Sequence, residues 1–321
     1  MRTLAGIALF GLVMLPLPAL LASQVWLNFL VMTLFFALLG IAWNVVGGYG
    51  GQFSFGHAAF FGTGAYCAAV LQAQLGLAAW LGFALAPVAG GAVAGVVGFL
   101  SFRYGLRGSY FALVTLAFAE VLRILANSAG FTGGGSGLLI KLAPGAANLQ
   151  FADRSGFYYL VLALVIAGLL LSLWIERSRF GSYLVAVREN EDAARALGVD
   201  AFAIKLRAIV LSGAIAGVAG AVYAQMFLYV DPGLAFGPTM SVEALLVPIV
   251  GGMGTVFGPV LGSLALHLLS EAGRSVLGQA PGLNLALYGV LLVIMVLFLP
   301  DGLVGLLRRV RRRFLRGRAD A

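Results

Sequence analysis

The stretch Val242-Glu243-Ala244-Leu245-Leu246-Val247-Pro248-Ile249-Val250-Gly251-Gly252-Met253-Gly254-Thr255-Val256-Phe257-Gly258-Pro259-Val260-Leu261-Gly262-Ser263-Leu264-Ala265-Leu266-His267-Leu268-Leu269-Ser270 decides how this chain is built. It runs for 29 residues with one formal charge, Glu243. A single helix of that length would reach about 43 Å, well beyond a bilayer core of about 30 Å. Pro248, Gly251, Gly252, Gly254, Gly258 and Pro259 crowd its middle. Proline removes a helix hydrogen bond, and each glycine costs about 1 kcal/mol relative to alanine. The spacing therefore predicts a break near 251–255 and two passes, each short or re-entrant.

The rest of the chain is of the same kind. Further apolar runs lie at 4–21, 25–46, 53–72, 78–100, 109–128, 157–175, 208–230 and 283–299. They are continuously apolar, which fits helices and not the alternation of barrel strands. Hydrophobic residues make up 61% of the chain and charged residues 10%, against about 45–50% and about 25% in soluble domains. A soluble enzyme and a disordered chain are excluded, and the lone Cys67 excludes an intrachain disulfide framework. The fold class is an all-α polytopic membrane protein.

Of the 32 charged residues, 11 fall in 176–207 and 9 in 301–321, so those two patches mark the aqueous segments. Lysine and arginine favour the cytoplasmic side. The basic markers are Arg2; Arg103 and Arg107; Arg177, Arg179, Arg188, Arg195, Lys205 and Arg207; and the tail arginines 308, 309, 311, 312, 313, 316 and 318. All four groups lie inside only if an even number of passes separates each pair. Ten passes satisfy this, whereas nine would put the tail outside. The expectation is ten passes, N-in and C-in, in one domain spanning 1–321, with a cytoplasmic loop at 176–207 and a basic cytoplasmic tail at 305–321. The first run is expected to be a retained helix and not a cleaved signal peptide, because it is long and Leu20 sits poorly at the −3 position.

Enzyme chemistry finds little footing. A phosphate-binding P-loop needs Gly-Lys-Ser/Thr, yet Leu142 follows Lys141 and Leu206 follows Lys205. His57, His267 and Cys67 make no metal set of usual spacing. No catalytic residue, metal or cofactor is expected in this chain. The arginine tail reads as a positive-inside flank meeting anionic lipid, not as a nucleic-acid surface.

Inside the membrane, small residues four apart (Gly91/Gly95, Gly213/Gly217, Gly258/Gly262) predict close helix packing. Gly47-Gly48-Tyr49-Gly50-Gly51 instead predicts broken helix, and Asn44, Gln52, Ser54, His57 and Tyr66 around it are candidates to line a pathway. Val46-Gly47-Gly48-x-Gly50-x-x-Phe53 is echoed by Val250-Gly251-Gly252-x-Gly254-x-x-Phe257. Glu120 and Arg123, three apart on one helix face, are expected in the bundle interior or at a water-filled cavity, as a pathway or gating element or as a structural pair. Glu243 is a further candidate.

The cytoplasmic loop holds Glu189-Asn190-Glu191-Asp192-Ala193-Ala194-Arg195-Ala196-Leu197-Gly198. Acids first, arginine next and glycine last suit the helix dipole and a glycine cap. A helix of two to three turns is predicted, with Ala193, Ala194 and Leu197 on its less polar face. Asp192-Ala193-Ala194-x-x-x-Gly198 resembles the EAA loop of bacterial ABC importer permeases, with aspartate for the first glutamate. Other stretches resemble the LivM-type branched-chain amino acid permeases. They are Gly51-x-x-Ser54-x-Gly56-His57 through Gly64-Ala65-Tyr66; Thr115-Leu116-Ala117-Phe118-x-Glu120-x-x-Arg123; Thr132-Gly133-Gly134-x-x-Gly137; and Glu243-Ala244-Leu245 with Gly251-Gly252-Met253-Gly254-Thr255.

That resemblance implies a permease subunit in the bacterial inner membrane. Two separate ATP-binding subunits would grip Glu191, Asp192, Ala193, Ala194, Leu197 and Gly198. A second related permease chain and a periplasmic substrate-binding protein would complete the importer. Urea or short amides as cargo, and an ion-coupled secondary transporter using Glu120, Arg123, His57 and Glu243, are the alternatives.

Overall fold

The structure, a computed structural model, describes residues 2–20, 23–151, 153–277, 289–290, 302–306 and 309. The apolar run 283–299 and the arginine tail lie almost wholly outside the described residues.

Helices α1 (Arg2–Met14) and α2 (Leu17–Leu20) divide the first apolar run at Pro16, where proline cannot donate to the ladder. Then come α3 (Gln24–Trp43), running on into a π-helical turn at Asn44–Tyr49, α4 (His57–Ala73), α5 (Ala79–Arg103) and α6 (Gly108–Ser128). Helix α7 (Arg154–Arg177) leads into α8 (Arg179–Glu189) and α9 (Glu191–Ala196), followed by α10 (Ala201–Phe227), α11 (Pro232–Ala235), α12 (Pro238–Gly251) and α13 (Gly258–Leu277). Two short strands, β1 (Leu138–Leu139) and β2 (Tyr229–Val230), pair antiparallel and pin the 129–156 loop to the end of α10. Among the described residues, seven helical segments are long and apolar enough to cross a membrane.

The break expected at 251–255 is present. Helix α12 stops at Gly251, Gly252 (φ 126°) and Gly254 (φ 67°) take backbone conformations open to glycine, and α13 starts at Gly258.

Helix α10 is the central element, packed chiefly on α5 and α4. An added Cβ at Gly217 would strike the Ala86 carbonyl of α5, and one at Gly220 the Phe61 carbonyl of α4. Backbones can thus meet where lipid offers no hydrophobic drive to bring helices together. Of the expected pairs, Gly213/Gly217 and Gly258/Gly262 make backbone-close contacts. Gly91 and Gly95 have room at 3.4 Å, and Gly90 takes the close approach instead.

Helix α6 is held along one stripe only. Phe111, Thr115, Ala119 and Ala126 are buried, and much of the remaining surface, including Leu113, Leu116, Val121, Ile124 and Leu125, is exposed.

Candidate functional site

The loop between α7 and α10 is more structured than expected. Ser178 caps α8, its Oγ accepting from Gly181 N–H at 3.1 Å. Asn190 then turns the chain and caps α9, its Oδ1 accepting from Ala193 N–H at 2.9 Å. Gly198 closes α9 at φ 86°, where the Gly198 and Val199 N–H groups donate to Arg195 O (2.9 Å) and Ala194 O (3.0 Å). Helix α9 is therefore six residues long, shorter than predicted, and α8 was not anticipated.

The two faces of α9 are unlike. Ala194 is buried, while Asp192, Ala193 and Gly198 are exposed and Leu197 is 86% exposed. Glu191 turns inward with its side chain only 8% exposed. Its carboxylate accepts from Arg195 Nη2 (2.6 Å) and from Lys205 Nζ (3.1 Å to each oxygen), and lies 3.2 Å from Arg107 Nε. The single apolar face predicted for Ala193, Ala194 and Leu197 is thus divided between inside and outside. Position along two turns cannot tell which side docks; two of the three cations around Glu191, Arg107 and Lys205, come from other elements.

Helix α8 makes its own link. Arg188 Nη1 donates to Gly48 O at 2.9 Å, and its stem lies against Gly51, whose φ of 66° and lack of a Cβ admit it. Here the two echoed glycine runs meet. Asn44 Nδ2 donates to Thr255 O (3.1 Å), and Asn44 Oδ1 accepts from Gly254 N–H (2.8 Å). One buried amide thus ties the break after α3 to the break after α12, and α8 reaches both through Arg188. Asn44, a candidate pathway residue from the sequence, is the bolt between two broken helices.

Ser54 and His57 are also interior. Ser212 gives its hydroxyl proton to Ala42 O (2.6 Å), so its oxygen accepts from His57 Nε2–H (2.8 Å). His57 Nδ1 then accepts from Ser54 O–H (3.1 Å). Trp43 Nε1–H donates to Ser54 O (2.8 Å). His57 is fully buried and joins α3, α4 and α10. Ser212 and Trp43, its partners in this knot, were missed, because a serine in an apolar run and a tryptophan at a helix end carry no periodic signal.

The other candidates are dispersed. Tyr66 stacks on Phe236 (5.5 Å between centroids) beside a cavity of about 610 Å³ between α4 and α6, which Thr63, Cys67 and Leu125 also line. Glu120 and Arg123 form a bidentate pair at 2.6 and 2.8 Å, but they face out of this chain, with side chains 48% and 36% exposed. Of the two settings expected, the bundle interior or a water-filled cavity, the interior of this chain is not where the pair sits. Glu243 borders a second cavity, of about 520 Å³, with Trp26, Phe29 and Phe36 of α3 and His267 of α13. Gln52 donates to Gly50 O at 3.3 Å. Among the described residues, no group of three or more His, Cys, Asp or Glu is placed to hold a metal.

The family model for the branched-chain amino acid transport system permease component matches residues 25–296. The high-affinity branched-chain amino acid transport system permease protein LivM of Salmonella typhimurium is 33% identical over 301 residues, 86% of this chain and 69% of that protein. LivM of Escherichia coli is 31% identical, covering 90% and 72%. The L-arabinose ABC transporter permease protein AraH of Azospirillum brasilense is 28% identical, covering 68% and 63%. No solved structure matches. The chain belongs to the branched-chain amino acid ABC permease family and is a multi-pass transport component.

Proposed function

We propose that this chain is one permease half of a bacterial inner-membrane ABC importer for branched-chain or related small amino acids. It crosses the membrane ten times with both ends inside. Two separate ATPase subunits drive it, a second related permease chain completes the pathway, and a periplasmic binding protein delivers the cargo. Asp192, Ala193, Leu197 and Gly198 form the surface the ATPase grips, while Glu191 and Ala194 back it from within. The observation that carries this reading is the outward side of α9: an almost fully exposed leucine capping a six-residue helix whose opposite face is fixed to the membrane domain. A helix that short has no stability of its own and depends on what it packs against. The Glu120–Arg123 pair, turned out of the bundle, belongs to the pathway shared with the second permease, since charges are not left facing lipid at mid-span.

The test is co-purification from mild detergent. The ATPase subunits and a second permease should accompany the wild-type chain. Leu197→Asp should weaken ATPase association by about 30-fold, the loss of about 2 kcal/mol typical of one buried anchor. Leucine uptake into liposomes by this chain alone, without ATP, would refute the assignment.

A further inference from the structure

We propose that Glu191 is the positioning residue that carries movement of α9 into the membrane helices. The inference rests on the importer reading and goes beyond it by naming the mechanical link. Glu191 is the first residue of α9, yet its carboxylate points away from the surface where an ATPase would sit. One of its cations, Lys205, lies on α10 and is itself only 2% exposed. That ammonium also stands 4.9 Å from the centre of the Phe102 ring on α5, and Phe102 stacks on Phe111 of α6 (5.1 Å between centroids). A second cation, Arg107, precedes the first residue of α6 and also reaches Asp192 at 3.4 Å. The third, Arg195, lies on α9 and braces the carboxylate from its own helix.

The chain connects α9 to α8 and α10 through the backbone, but not to α6. Among the described residues, the charged contacts that join α9 to the start of α6 are those of Arg107 with Glu191 and Asp192. Helix α6 is held along one stripe and carries the outward Glu120–Arg123 pair, so fewer restraints oppose its shift than oppose that of α10. Helix α10 is the most heavily packed. One buried carboxylate therefore grips a helix that anchors and a helix that can move. A purely local anchor for α9 would need Lys205 or Arg195 alone; the Arg107 arm is what makes it a transmission.

The complete importer with its binding protein, reconstituted in proteoliposomes, provides the test, with leucine as cargo and ATP inside. The readout is leucine taken up per ATP hydrolysed. Glu191→Gln should lower this ratio about ten-fold, within the range for residues that carry coupling, while the ATPase subunits still co-purify. Because Glu191→Gln also leaves Lys205 buried without its partner, Glu191→Gln/Lys205→Met is made alongside it. The double variant should regain the thermal stability of the complex without regaining the ratio. A ratio within about two-fold of wild type in Glu191→Gln would overturn the inference, as would a double variant that recovers stability and ratio together. A wild-type complex whose uptake ignores ATP would overturn the importer reading and this inference with it.

Discussion

His57 is a polar residue whose place in an apolar chain can be read atom by atom. Its ring is fully buried, and each nitrogen meets one hydroxyl whose proton is already assigned: Ser54 donates to Nδ1 and Ser212 accepts from Nε2. A neutral imidazole in that setting has no spare valence for cargo or for a travelling proton. Its value lies in tying three helices at the point where α3 ends and α4 begins. Removing it strands the Ser54 hydroxyl proton in a dry interior, where an unsatisfied group costs about 1–3 kcal/mol, and leaves Ser212 with Ala42 O alone. His57→Ala should therefore lower the unfolding midpoint of the purified permease in detergent, and Ser212→Ala should lower it less, because it leaves His57 one good partner. Equal stability of His57→Ala and wild type would show that the ring ties nothing at this junction.

At the level of elements, the legible parts were those set by backbone chemistry. Pro248 and the glycines at 251, 252 and 254 announced the break between α12 and α13 because proline and glycine act on the chain locally, whatever packs around them. The same holds for the acid–arginine–glycine order of α9. What the sequence concealed was tertiary. Glu191 is buried by Arg107, 84 positions earlier, and by Lys205 on the next long helix, so nothing within α9 marked it as inward. Helix α8 was hidden by its polarity, and the π-helical turn at Asn44–Tyr49 by its resemblance to a plain glycine loop. Small-residue spacing marked α10 correctly, yet it named Gly91/Gly95 on α5 where Gly90 makes the contact. This packing gives a sharp test. Gly217→Leu would drive a side chain into the Ala86 carbonyl and push α5 from α10. It should abolish accumulation of folded protein in the membrane, whereas Gly91→Ala, at a site with room, should leave yield and unfolding midpoint near wild type. A well-folded Gly217→Leu variant would show that α5 and α10 do not meet this closely.

For the molecule as a whole, the outward side of α6 is the feature that a lone chain in lipid does not explain. Leu113, Leu116, Val121, Ile124 and Leu125 suit either lipid or protein, but Glu120 and Arg123 share their helix near its midpoint and are more than a third exposed. Pairing neutralises the net charge without removing the need for polar or aqueous surroundings, so hydrocarbon is a poor neighbour. The second permease chain proposed above, with a wet seam between the two, would supply what is missing. Single cysteines at Ile124 and Leu113, in a Cys67→Ser background, should cross-link to the second permease chain in native membranes with a short bifunctional reagent. Cysteine at Val88 on α5, exposed but remote in role, should not. Arg123→Ala, which leaves Glu120 charged and alone, should disrupt assembly more than Glu120→Gln/Arg123→Gln, which removes both charges, because stranding one partner costs more than deleting the pair. If spin labels at Ile124 prove as accessible to lipid-borne oxygen as labels at Val88, α6 faces the bilayer. The pathway would then have to be sought at the other cavity, beside Glu243.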